Sequence, residues 1–441
     1  MAVSLRDPGC KRHTSAGKGP SSGDHHDRER VAPVSADPSD QTQQPFDRAA
    51  AERVLAEINQ DEVISFLQGL VRIPSVHEPG DTREATAYCA EPLARAGFAT
   101  RMETLEEIKP NLVAEYGDPD TGPTVMFNAH VDVVPTGELS AWQFDPWGAE
   151  IDNGRVYGRG SGDDKASVTA QVMAGVALAR SGVALKGRLI VNEVADEEIG
   201  GIAGAKWLAE SGILKPDFAI VGEQTMGRVN VGEKGGAGQT ITVYGRAAHG
   251  ALPWEGANAI EGMAEILVAL RKELWPKLAE RTHKYFHPSS ASPNLITGGV
   301  KSNVVADRCE MFVDRRLVPG ETVAGTRAEI REIAERVISQ MPGLRVEVEG
   351  RWMGLEASLT PDDHPLIRSM VGANAFLGYD TTISGFSMGT DGRFFSQRGV
   401  PTIIYGPGDP RLAHIPNEWV GIDEVMDATR AYALAGLSLL S

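Results

Sequence analysis

Four short apolar runs in this chain each stop at a histidine or an acid, and that repeated ending most limits what the chain can fold into. Val125-Met126-Phe127 leads to His130 and Asp132, and Leu189-Ile190-Val191 to Asp196-Glu197-Glu198. Ala219-Ile220-Val221 leads to Glu223, and Pro401 to Tyr405 leads through Gly406-Pro407-Gly408 to His414. Continuous apolar runs of this length read as buried strands of a parallel sheet. Sites form at the carboxyl ends of such strands. The four strands are therefore expected to deliver His130/Asp132, Glu197/Glu198, Glu223 and His414 to one edge of one sheet. Asp163 joins them from the start of a helix expected over Lys165 to Arg180, with Val168, Val172, Met173 and Val176 on its apolar side.

Residue chemistry then narrows the function. His130 and Asp132, two apart on an extended chain, point the same way. A carboxylate behind an imidazole fixes its tautomer and improves it as a metal ligand. Three successive acids at a strand end repel one another unless cations or protons neutralise them. The glycine-dense stretch Gly154 to Asp164 lacks the Gly-Lys-Ser/Thr ending of a phosphate loop, and its two adjacent acids would repel phosphate. A net charge of −17 argues against nucleic acid or anionic membrane as the main partner. Cys10, Cys89 and Cys309 form no Cys-x-x-Cys, so neither a disulfide framework nor a thiolate zinc site is expected; a reducing cytosol fits them. No apolar run is long enough to span a membrane.

The 441 residues divide into four segments. Residues 1–45, rich in Gly, Ser, Pro, Asp and Arg, predict a disordered N-terminal tail. From Phe46 apolar residues recur at helical spacing as far as Leu70, and the helix stops before Pro74; Ala85 to Ala96 predicts a second helix. Residues 46–235 and 351–441 are expected to form the two parts of a catalytic metal-binding domain. Residues 236–350 change character. They predict strand, helix, two strands, helix and strand, an order that resembles the ferredoxin-like unit. This segment is expected to be a lid or dimerisation domain inserted into the first. The fold class is thus α/β: a mixed, mostly parallel sheet with helices on both faces, plus an α+β insertion.

Two histidines and several carboxylates make a nitrogen and oxygen ligand set suited to zinc, cobalt or manganese. With Asp163 bridging, two ions could each take one histidine and one terminal carboxylate. Paired ions about 3.5–4 Å apart activate a water and stabilise the oxyanion formed at a carbonyl. One acid must stay uncoordinated to take the water's proton, and Glu197 and Glu198 point apart as neighbours do. Residue types alone leave open which glutamate does which.

Five motifs in order resemble the M20 metallopeptidase/deacylase family, which includes acetylornithine deacetylase, succinyl-diaminopimelate desuccinylase, aminoacylase-1 and carboxypeptidase G2. They are Asn128 to Pro135, Tyr157-Gly158-Arg159-Gly160 with Asp163-Asp164-Lys165, Asp196 to Gly200, Gly222-Glu223, and Gly406-Pro407-Gly408 with Ala413-His414. The likeness runs from about residue 50 to the end. It implies that His130 and Glu223 hold one metal ion, Glu198 and His414 a second, and that Asp163 bridges them. It implies Glu197 as general base, Asp132 as the group orienting His130, and a cis peptide after Asp163. His249, in Gly245 to His249, matches a lid histidine that polarises the substrate carbonyl, usually from the partner subunit of a homodimer. Asn303 and Arg316 match positions that bind a substrate carboxylate. Ala166, Gln224 and Gly250 depart from the family's usual residues and leave the substrate subfamily open. The expected activity is hydrolysis of the amide C–N bond of a small N-acyl amino acid or related carboxylate. The alternatives are a dipeptidase or carboxypeptidase-type exopeptidase, and a hydrolytic deaminase of a modified small molecule.

Overall fold

In the computed structural model of the protein, residues 46–351 and 354–441 are described, and the tail expected over residues 1–45 lies outside them. The chain builds an eight-stranded sheet whose centre is parallel. Strands Gly187–Val194, Thr124–His130, Phe218–Val221 and Thr402–Ile404 lie side by side and run in one direction. Val229–Glu233 and Ile383–Phe386 extend one edge; Pro110–Asp118 and Ala99–Thr104 extend the other, antiparallel. Because the four central strands are parallel, all of their carboxyl ends share one edge.

The side-chain alternation of Thr124–His130 shows why both faces are covered. Val125, Phe127 and Ala129 join the apolar cluster formed with helices Lys165–Arg180 and Ile422–Leu439. Met126 points the other way, into a cluster with Ala205 and Leu208 of helix Ala205–Ser211 and with Phe394 and Phe395. Helix Lys165–Arg180 is buried along nearly its whole length, so it reads as apolar on every side rather than as an amphipathic surface helix.

The N-terminal helix expected as one element is two, Arg48–Ala56 and Gln60–Val71. Asn59 makes the break: its side chain accepts from the Glu62 amide at 3.0 Å, capping the second helix. Strand Ala99–Thr104 had no signal in the sequence because none of its residues is buried, so its pattern is polar.

Residues 239–350 form a second, wholly antiparallel sheet, ordered Ser290–Gly298, Arg308–Leu317, Gln239–Tyr244, Arg345–Gly350. Helices Ala259–Glu273 and Val323–Ile338 cover it, and Ile241, Met263, Met311 and Ile330 lie in its own apolar cluster. Burial alternates residue by residue along Arg308–Leu317, as a sheet covered on one face requires. No helix among the described residues is long and apolar enough to cross a membrane.

Phe127 is fully buried, with its ring edge-on to Tyr432 at 5.2 Å, where the central strand meets the C-terminal helix. Phe127→Ala should lower unfolding stability by about 3–5 kcal/mol through lost burial and a cavity, read as a fall in the urea midpoint.

Candidate metal centre

The strand ends converge on Asp163. His130 ends its strand, and its Nε2 lies 3.2 Å from one oxygen of Asp163. His414 places its Nε2 3.3 Å from the other oxygen of Asp163 and 3.1 Å from Glu198. Glu223 completes the first group. The ligand atoms of His130, Asp163 and Glu223 lie within 4.8 Å of one another, and so do those of Asp163, Glu198 and His414. One carboxylate thus turns an oxygen to each histidine, as a bridge between two cations would. His414 reaches its place from a turn after Pro410–Leu412, with its own φ at +65°. The peptide between Asp163 and Asp164 is cis.

Asp132 acts on His130 and on both glutamates. Its carbonyl oxygen lies 2.9 Å from His130 Nδ1, nearer than its carboxylate at 3.7 Å, so the contact that orients the ring is made through the backbone. The carboxylate instead accepts the amides of Glu197 and Glu198, each at 3.2 Å. It therefore anchors the start of the short helical turn Glu197–Ile199 and sets both glutamates.

The acids are crowded and dry. Burial, then the charges of Asp163, Asp164 and Glu197, pushes the Glu223 carboxyl well above its ordinary range. Burial likewise lifts Glu197 to about 7, against the pull of His130 and Arg393. Asp163 stays ionised well below the usual range despite burial, because His130 and His414 donate to it. Hydrogen bonds to Asp163 and Glu198 raise His414 to about 10. The protein alone can balance this set only with protons. Divalent cations would balance it without them, and the donors are of the type such ions take.

The remaining expected residues fall in two places. Arg316 lines a cleft of about 560 Å³ between the two sheets, together with Ile199, Lys234, Arg393 and Phe394. Arg393 also stands 4.0 Å from Glu197, so the cleft opens beside that glutamate. Arg316 is engaged by Asp314 in a two-point pair at 2.8 and 3.1 Å. Its neighbour Arg315 points inward and is fully buried against Glu321 and Ser289. His249 and Asn303 are both exposed and sit together: His249 bridges Val304, and the Gly250 amide donates to the Asn303 carbonyl at 2.8 Å. His249 Nδ1 accepts from the Ala251 amide at 3.1 Å.

Glu418 was not among the residues singled out in the sequence. It is fully buried and accepts the amides of Gly162 and Asp163 at 2.9 and 3.0 Å. Its one sequence signal is weak: an acid four residues after His414, directly before apolar Trp419-Val420.

The model of peptidase family M20/M25/M40 matches residues 126–437. The chain belongs to that family. This M20 chain is 32% identical over 333 residues to acetylornithine deacetylase of Vibrio atlanticus, covering 74% of this chain and 84% of that one. It is 28% identical to succinyl-diaminopimelate desuccinylase of Thioalkalivibrio sulfidiphilus, over 84% of this chain and 97% of that one. Its fold is similar to that of a dinuclear metal-binding M20 peptidase from Bacillus subtilis, with a TM-score of 0.67 at 18% identity, over 86% and 98% of the two chains. The M20 chain is a metal-dependent hydrolase acting on amide C–N bonds.

One acid beside the centre yields a pH test. Burial lifts Glu233 to about 8 although Arg393 and the Thr390 amide favour its anion. The folded chain therefore keeps a proton that the unfolded chain releases. Its contribution to stability falls as pH rises from the ordinary carboxylate value to about 8, then levels off. Glu233→Gln lacks this dependence. Its melting temperature relative to wild type should therefore climb between about pH 5 and pH 8, as measured by thermal unfolding across that range.

Proposed function

We propose that this M20 chain is a dinuclear amidohydrolase that removes the acyl group from a small N-acyl amino acid or related carboxylate. The observation that carries the reading is the pair of ligand groups sharing Asp163, with one oxygen toward each histidine. His130 and Glu223 would hold one divalent ion, Glu198 and His414 the other, with Asp163 between them. Zinc suits the donors best, and cobalt or manganese would also fit. Such a pair supplies a water of lowered pKa and a Lewis acid at the carbonyl.

The residues do the rest. Glu197 stands beside the candidate ligands without belonging to either group, and its pKa of about 7 suits a group that takes a proton and returns it to the leaving amine. Asp132 holds its backbone in place. Arg316 faces the cleft beside Glu197, where a substrate carboxylate would displace Asp314 from it, with Asn303 of the partner subunit as a second donor. Two relatives named for removing acetyl and succinyl groups support an acyl substrate.

The reading includes a homodimer built through residues 236–350, taken as an inserted domain. Strand Ser290–Gly298 is an edge strand whose Leu295 and Ile296 are 67% and 61% exposed, an apolar edge suited to pairing with a second copy. His249 and Asn303 would then serve the partner's centre.

Glu197→Gln should keep two metal ions by elemental analysis while turnover falls about 100- to 10,000-fold. Metal-free active protein, or near-normal turnover in the variant, would sink the reading. His249→Ala and Glu197→Gln proteins, each inactive alone, should regain about a quarter of wild-type activity after subunit exchange, because random pairing leaves one intact centre in half of the dimers. No recovery after proven exchange would show that His249 does not act across the dimer.

A further inference from the structure

Arg159 is among the largest fully buried side chains of the described residues, and its contacts join segments far apart in sequence. Its Nη1 pairs with the Glu418 carboxylate and reaches the Ile415 carbonyl at 3.4 Å. Its Nη2 donates to the Pro135 carbonyl at 3.3 Å. The guanidinium also lies 5.3 Å from the centre of the Trp142 ring. One guanidinium thus touches the loop that follows His130 and the turn that follows His414. It stands four residues before Asp163 on the loop that carries that acid.

Glu418 closes the arrangement. One of its oxygens accepts the amides of Gly162 and Asp163, while its own carbonyl accepts the Gly158 amide at 3.0 Å. Trp419–Gly421, directly after it, pairs with Arg155–Tyr157 in a small separate sheet. Asn417, directly before it, bonds the Gln143 amide and the Ala141 carbonyl through its side chain. The turn bearing His414 is therefore held to the Asp163 loop by a buried ion pair and a short sheet.

We infer that Arg159 and Glu418 are a positioning pair that builds the Asp163–Glu198–His414 half of the centre and bears far less on the His130–Asp163–Glu223 half. The asymmetry follows from the elements. His130 and Glu223 leave adjacent paired strands of the main sheet, which fix where their backbones run. His414 ends no strand; it lies in a turn at positive φ and depends on what ties residues 414–418 down. Buried ion pairs add little net stability and persist where they fix an arrangement. Groups that orient a ligand from behind typically change metal affinity 10–100-fold when altered.

This inference rests on the two-ion reading above, and the test separates the two. Chelator-treated full-length protein is titrated with Zn²⁺ and the ions bound are resolved by calorimetry. Wild type taking up fewer than two ions would overturn the two-ion reading before any variant is compared. Given two ions in wild type, Glu418→Gln keeps the side chain's size but removes the charge on which Arg159 and two amides converge. It should leave one of the two ions within about twofold of its wild-type affinity and weaken the other about 10-fold. Arg159→Met with Glu418→Leu, which removes both charges together, should weaken that same ion about 100-fold. Should the double variant fail to fold, Glu418→Gln decides alone. Unchanged binding of both ions in Glu418→Gln, or equal weakening of both, overturns the positioning role.

Discussion

Repulsion among buried acids is the constraint on which the centre depends. Glu197, Glu198 and Glu223 leave one sheet edge, Asp163 meets them from the loop before helix Lys165–Arg180, and Asp164 and Asp391 lie buried close by. A parallel sheet concentrates whatever its strands carry at their ends, so this crowding is built into the topology. Only protons, histidines or cations can balance it. Asp163 shows the balance at its tightest, with one oxygen committed to each of two histidines.

Holding that arrangement takes more groups than the candidate ligands. Asp132 spends its carboxylate on the Glu197 and Glu198 amides rather than on the His130 ring. That choice fixes the backbone from which two neighbouring glutamates diverge, one toward His414 and one toward Arg393. Glu418 does the same for Asp163. Backbone amides held by buried carboxylates thus recur, because an amide donor is rigid and neutral and a charged acceptor aligns it well.

Much of this was legible in the residue order. Parallel strands buried on both faces must be apolar throughout, so the central strands announced themselves, as did His130 and the acids that follow them; His414, ten residues past its strand in a turn, did not follow that rule. Helix Lys165–Arg180 was legible to the residue, since Asp164 and the apolar run bound it. The edges were not. Ala99–Thr104 has no buried residue, and the small strands Arg155–Tyr157 and Trp419–Gly421 are too short to show a period. The family resemblance pointed to Arg316, but residue type alone does not separate it from Arg315. On a strand, neighbours face opposite ways, and only the packing shows that Arg315 is interior while Arg316 faces the cleft already paired with Asp314.

The sequence by itself determined the fold class, the family and the residues that gather at the sheet edge, because each depends on local pattern and on residue chemistry. Tertiary structure alone decided which oxygen of Asp163 meets which histidine and that Asp132 serves the glutamate amides. It also brought Arg159 and Glu418, 259 positions apart, into one buried pair. Those outcomes depend on distances of a few ångströms between segments remote in the chain. Such distances are set by how helices and sheets pack, which no local pattern of residues encodes.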